Sequence, residues 1–163
     1  MTDRILFVCL GNICRSPLAE GVLRRRAEEA GLDLFVDSAG IGDWHVGDPP
    51  DARAMVAARK HGFEISAQRA RQFSSEDFSR FCYILVMDHD NMTEVEARRL
   101  PDDEAKVDML TKFGSGTQGE DIADPYYSGK FDPVIAKIED CVAGLIAYLK
   151  DEQDRSASDA NTL

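Results

Sequence analysis

Residues 4–17 read Arg4-Ile-Leu-Phe-Val-Cys9-Leu-Gly-Asn-Ile-Cys-Arg15-Ser16-Pro17, which joins a strand, a loop and a helix start in one short run. The apolar stretch 4–9 is rich in strand formers and has the pattern of a buried strand. Gly11 and Asn12 mark a loop, and Ser16-Pro17 starts a helix, with serine as N-cap and proline at the first helical position. The helix is expected to run to about Ala30, where Gly31 stops it. Ala19, Val22, Leu23, Ala27 and Ala30 would line its inner face, with Arg24/Glu28 and Arg25/Glu29 paired outside.

Outward from this unit, a second strand is expected at 34–38, completing a β-loop-α-β opening. A long loop over 40–50 contains Trp44 and ends in Pro49-Pro50; a helix follows at 51–61, ended by Gly62. An amphipathic stretch at 74–80 precedes a third strand, 82–87, then a helix at 90–99 and a short strand at 106–109. Residues 113–130 form a second loop rich in Gly, Ser and Asp. Asp132-Pro133 opens a final helix to Lys150, with Val134, Ile138, Val142, Leu145 and Leu149 at helical spacing. The polar tail from Asp151 is expected to be disordered. Strands alternating with helices predict an α/β fold, a parallel sheet covered on both sides. At 163 residues, with no repeat and no linker, one domain is expected. In such sheets ligands bind outside the carboxyl ends of the strands. Cys9, Ser38 and Asp88 each lie at or just past such an end.

Composition narrows the function. Hydrophobic residues at 44% and charged residues at 30% suit a soluble globular chain. No apolar run approaches the roughly 20 residues of a membrane helix, and Met1-Thr2-Asp3-Arg4-Ile5 lacks the features of a signal peptide. A cytoplasmic location without membrane insertion is therefore expected. The four cysteines show no Cys-x-x-Cys spacing and the histidines lie far apart, so neither a disulfide framework nor a metal site is expected, and no cofactor is indicated. A net charge of -11 speaks against nucleic acid or anionic membrane as partner. It also means that any site for an anion must build its own positive potential.

The segment from Cys9 to Ser16 can do so. Five residues between Cys9 and Arg15 let the backbone curl with its N–H groups around one anion. The following helix adds free N–H groups and the positive end of its dipole. Arg15 adds a planar fork that holds two phosphate oxygens. The same surroundings favour a thiolate, so Cys9 is expected to be a nucleophile at neutral pH, with Ser16 as a hydroxyl donor to the sulfur.

The run Val8 to Pro17 resembles the signature of the low-molecular-weight protein tyrosine phosphatases, and Asp124-Pro-Tyr-Tyr127 resembles that family's second signature. Asp37-Ser-Ala-Gly40, the Trp44 loop, Arg69-Ala-Arg-Gln72 and Val86-Met-Asp88 also match, so the likeness spans about residues 4–150. The resemblance implies a three-layer αβα sandwich around a central four-stranded parallel sheet of flavodoxin-like topology, with a phosphatase domain over 1–150 and a tail over 151–163. It implies hydrolysis of phosphotyrosine in proteins through a cysteinyl-phosphate, by a monomer or weakly self-associating enzyme. Breaking an aryl phosphate needs an attacking group, stabilisation of the equatorial oxygens and a proton for the phenolate. Cys9 would attack; Arg15 and the loop Leu10, Gly11, Asn12, Ile13, Cys14, Arg15, Ser16 would hold the oxygens; Asp124 would be the acid. Leu10, Ile13, Trp44, Tyr126 and Tyr127 would wall a flat ring. Asn12 would need an uncommon backbone geometry held by Ser38, and Asp88 would orient Arg15 or cap the next helix.

Some positions depart from the pattern or invite rivals. Many relatives carry histidine where Gln68 stands, which puts a pH-sensitive part of the Asn12/Ser38 network in doubt. His45, His61 and His89 read as solvated surface residues. An arsenate reductase would need a mobile cysteine pair, whereas Cys82 and Cys141 read as core thiols. Protein arginine phosphatases of this fold typically carry threonine at the position of Ile13, whose apolar side chain suits a ring instead. A noncatalytic phosphotyrosine-binding module would be expected to lack the thiol or the acid. Cys14, inside the loop, is a candidate redox partner that traps an oxidised Cys9 as a disulfide.

Overall fold

Four parallel strands, β1 (Asp3–Cys9), β2 (Leu34–Gly40), β3 (Tyr83–Val86) and β4 (Lys106–Met109), lie in the order β2-β1-β3-β4 in a computed structural model that describes residues 2–161. The helices are α1 (Arg15–Glu29), α2 (Ala52–Lys60), α3 (Asp77–Arg80), α4 (His89–Glu96), α5 (Pro125–Ser128) and α6 (Phe131–Asn161), with a 3-10 turn at Leu110–Phe113. This is the expected flavodoxin-like sandwich. The central strand β1 is flanked on both sides, Ile5 facing Val36 in β2 and Tyr83 in β3. Hydrogen-bonded on two edges and covered on two faces, it needs apolar side chains throughout, and Ile5, Leu6, Phe7 and Val8 are wholly buried.

The two-residue period of β1 divides its side chains between two cores. Ile5, Phe7 and Cys9 pack with Leu18, Val22 and Leu23 of α1 and with Ile135, Ile138, Val142, Leu145 and Leu149 of α6. Leu6 and Val8 pack on the other face with Phe73, Phe78, Phe81 and Val95. Each fully buried aliphatic or aromatic side chain contributes about 1.5–3 kcal/mol, so these layers hold the carboxyl end of β1 firmly where the chain turns into α1.

Three local expectations are corrected. The segment after Lys150 is helical through Asn161, not disordered. Residues 151–161 contain neither glycine nor proline, and Arg155 pairs with Asp151 one turn back at 3.2 Å; positions 162 and 163 of the expected tail lie outside the described residues. Helix α1 starts at Arg15 with Cys14 at the N-cap and no side-chain cap. Ser16 lies inside the first turn because its hydroxyl is engaged by Cys9 and Asn12. Arg24 pairs with Glu20 at 2.9 Å rather than with Glu28, whereas Arg25 meets Glu29 at 3.2 Å as expected.

Candidate active site

The loop between β1 and α1 closes on the sulfur of Cys9, which is 3% exposed. The Asn12 N–H donates to Cys9 Sγ at 3.3 Å, and Ser16 Oγ lies 3.0 Å from the same sulfur. Asn12 Nδ2 already donates to Ser16 Oγ at 2.8 Å, which leaves the hydroxyl hydrogen free for the sulfur. The N–H groups of Gly11, Ile13 and Cys14 have no acceptor among the described residues, so they are free to donate to an anion in the loop.

This curl requires Asn12 to adopt φ 58°, in the left-handed region. That conformation costs roughly 1–2 kcal/mol for a residue other than glycine. The Asn12 side chain offsets it with three hydrogen bonds: Nδ2 to Ser16 Oγ and to Ser38 Oγ at 2.8 and 3.0 Å, and Oδ1 from the Arg71 N–H at 3.0 Å. At about 1 kcal/mol each, they outweigh the strain. Gly40 at the end of β2 leaves room for the loop, since a Cβ there would meet the Gly11 carbonyl carbon at 3.0 Å and the Asn12 nitrogen at 3.1 Å.

Arg15, 3% exposed, is held from two sides. Its Nη1 donates to Asp88 Oδ2 at 2.6 Å and to the Ile122 carbonyl at 2.9 Å. Asp88 also accepts from the Asn91 N–H at 2.7 Å through Oδ1, so it orients the arginine and caps α4 at once. Burial works against the guanidinium charge, but the neighbouring Cys9 and Asp88 outweigh it and hold Arg15 still more firmly protonated than usual. Its Nη2 faces Asp124 Oδ2 at 3.6 Å. Asp124 caps α5 by accepting the Tyr126 N–H at 3.0 Å, with Pro125 at the start of that turn.

Cys9, Arg15 and Asp124 line one cavity of about 290 Å³ with Leu10, Ile13, Trp44, Tyr126 and Tyr127. Tyr126 and Tyr127 meet edge to face, with centroids 4.9 Å apart. Tyr127 and Trp44 are 89% and 67% exposed, so the apolar walls stand open at the rim. Gly11 and Cys14 line the cavity too, while Asn12, Ser16, Ser38 and Asp88 do not and are joined to Cys9, Asn12 or Arg15 by hydrogen bonds.

Other residues at the site were not anticipated. Glu20, buried in α1, accepts the Ser38 hydroxyl at 2.7 Å and is paired with Arg24. It stands four residues after Ser16, on the same side of the helix, and a carboxylate on an inward face was the available signal. Burial pushes its carboxyl to titrate above the range of an ordinary glutamate, against the hydrogen bond from Ser38 and the charge of Arg24. The Asn12/Ser38 network therefore contains a titratable carboxylate although Gln68 is not ionisable. Gln68 donates to the Pro17 carbonyl at 3.1 Å and leaves its buried Oε1 without a partner. His45, expected at the surface, lines the cavity and faces Asp48 at 3.4 Å. Cys82 is exposed rather than a core thiol, because β3 begins one residue later; Cys141 is buried. Cys14 is buried, and this, followed by the charges of Asp51 and Cys9, pushes its thiol well above the usual range. Among the described residues, no cluster of His, Cys, Asp or Glu is placed to hold a metal ion, and no helix is long and apolar enough to cross a membrane.

The sequence model for low molecular weight phosphotyrosine protein phosphatases matches residues 4–155. Low molecular weight phosphotyrosine protein phosphatase 1 of Drosophila melanogaster is 40% identical, over 93% of this chain and 97% of its own length. The crystal structure of YfkJ from Bacillus subtilis superposes with a TM-score of 0.88 at 36% identity, covering 93% of this chain and 97% of that one. The structure of a Drosophila arginine phosphatase superposes with a TM-score of 0.83 at 34% identity, covering 90% and 97%.

Proposed function

Because this chain belongs to the low molecular weight phosphotyrosine protein phosphatase family, we propose that it hydrolyses phosphotyrosine in proteins with Cys9 as nucleophile and Asp124 as general acid. The observation that carries this assignment is the convergence of Cys9, Arg15 and Asp124 on one aromatic-walled cavity. The Cys9 thiolate attacks phosphorus in line, forming the S–P bond as the bond to the aryl oxygen breaks. Asp124 gives its proton to that oxygen, so tyrosine leaves as a neutral phenol. Arg15 and the N–H groups of the loop hold the equatorial oxygens. The Asp124 carboxylate then takes a proton from a water molecule, whose oxygen attacks phosphorus. The S–P bond breaks, inorganic phosphate leaves and the thiolate returns, stabilised by Ser16 and Asn12.

Ile13 presents an apolar surface to the cavity where a hydroxyl would suit an arginine phosphate, and the Trp44 and Tyr127 rim suits a ring. These features support phosphotyrosine over phosphoarginine. The net charge of -11 supports a protein substrate rather than nucleic acid. Turnover of p-nitrophenyl phosphate tests the nucleophile: Cys9→Ser is expected to lose all measurable activity. Asp124→Ala is expected to lose about 10²- to 10⁴-fold on a phosphotyrosyl peptide. A phosphoarginyl peptide turned over faster than the phosphotyrosyl one would reverse the substrate assignment. Trapping with Cys9→Ser in a native lysate would identify the phosphoproteins that bind.

A further inference from the structure

The two halves of the site come from segments far apart in the chain, and Arg53 bridges them. Asp51, at the N-cap of α2, donates its N–H to the Ile13 carbonyl of the nucleophile loop at 2.9 Å. Its carboxylate holds the Arg53 side chain in a fork, Nε to Oδ1 at 3.1 Å and Nη2 to Oδ2 at 3.0 Å. The same Nη2 reaches the carbonyl of Tyr126 at 3.0 Å, and the guanidinium carbon lies 5.4 Å from the Tyr126 ring centroid and 5.2 Å from that of Phe131. The N–H of Tyr126 in turn holds the Asp124 carboxylate. A continuous path therefore runs from the nucleophile loop through Asp51 and Arg53 to Tyr126 and Asp124.

The acid segment needs such an anchor. Helix α5 is a single turn of four residues, too short to be stable alone. At its amino side the Ile122 carbonyl is fixed by Arg15; at Tyr126 the fixing group is Arg53. We propose that Arg53, locked on Asp51, is a positioning residue that sets Asp124 at the distance from the nucleophile loop where its proton reaches the leaving oxygen. The proposal rests on Asp124 being the general acid. Arg53 does not line the catalytic cavity; it acts through Tyr126.

A positioning role for the acid has a signature that general damage to the fold lacks. Protonation of the leaving group matters most for a basic phenolate such as that of tyrosine, whose phenol has a pKa of about 10, and least for p-nitrophenolate. kcat/KM is measured for wild type, Arg53→Ala, Arg53→Lys and Asp124→Asn over a series of aryl phosphates of rising leaving-group basicity. Arg53→Ala is expected to lose about tenfold on phosphotyrosine and little on p-nitrophenyl phosphate. Its alkylation by iodoacetate at Cys9 is expected to match wild type. Arg53→Lys keeps the charge but not the fork and is expected to follow Arg53→Ala.

A uniform loss across the series, a loss carried in KM alone, or full recovery with lysine would overturn the positioning role. Asp124→Asn separates the two claims. If it steepens the dependence on leaving-group basicity and Arg53→Ala does not, the bridge is wrong and the acid stands. If Asp124→Asn leaves the dependence unchanged, the acid assignment fails and the role of Arg53 fails with it.

Discussion

The side-chain amide of Asn12 donates to the Ser38 hydroxyl at 3.0 Å, which ties the nucleophile loop to the carboxyl end of β2. Ser38 passes the connection on to Glu20 in α1 at 2.7 Å. Asn12 also supports Ser16, the residue whose hydroxyl faces Cys9. The shape of the loop after Cys9 is therefore set by buried polar bonds whose donors and acceptors depend on one another.

Replacing Asn12 separates the strain of the loop from the bonds that relieve it. Asn12→Ala and Asn12→Gly both lose the three side-chain hydrogen bonds, a loss of about 3 kcal/mol in total. Alanine must also keep φ 58°, at an additional cost of about 1 kcal/mol. Urea titration is expected to show Asn12→Gly as the more stable of the two. Both are expected to lose kcat to a similar extent. Equal stability of the two variants would contradict the strain argument.

Glu20 gives the fold a pH dependence whose sign follows from its burial. Its carboxyl titrates above the ordinary glutamate range in the folded protein, so the folded state prefers the neutral form. That contribution to stability is fully present below the unfolded-state value and is lost as pH rises through the folded-state value. Glu20→Gln keeps an acceptor for Ser38 and removes the titration; the Arg24 pair that it gives up joins a residue 56% exposed and contributes at most about 1 kcal/mol. Denaturant unfolding from pH 4 to 8 (roughly the span that brackets an ordinary and a raised carboxylate) is expected to show wild type losing stability relative to Glu20→Gln as pH rises. The opposite slope would show that Arg24 and Ser38 outweigh burial.

Cys14 is held as a thiol by burial and by the charges of Asp51 and Cys9, which makes it a poor target for oxidants; to react with an oxidised neighbour it must first lose that proton. If peroxide converts a Cys9 thiolate to a sulfenic acid, attack by the Cys14 sulfur would release water and form a disulfide. After peroxide treatment, wild type is expected to regain activity with dithiothreitol, and Cys14→Ser is expected to regain much less. Equal recovery would remove Cys14 from the redox cycle.

The sheet and the cradle were legible because their signals are local. The run Ile5 to Val8 marks a strand buried on both faces, and the spacing from Cys9 to Arg15 lets the backbone curl. Glu20 and Arg53 leave no such signal because their partners come from remote segments: Glu20 meets Ser38 in β2, and Arg53 meets the Tyr126 carbonyl. A backbone carbonyl leaves no mark in a side-chain pattern. Helix α6 was expected to end at Lys150, where the apolar period stops, yet a helix continues on propensity and one-turn ion pairs when no residue interrupts it. The orphaned Oε1 of Gln68 could not be foreseen either, since one amide end is satisfied by Pro17 and the other is left by the packing around it.

The most direct test of the account is the mass of the protein during turnover. Acid quenching of the enzyme with a phosphotyrosyl peptide, followed by intact and peptide mass spectrometry, is expected to show one phosphoryl group on Cys9 and none in Cys9→Ser. Turnover at the wild-type rate by Cys9→Ser, or a phosphoryl group on another residue, would contradict it.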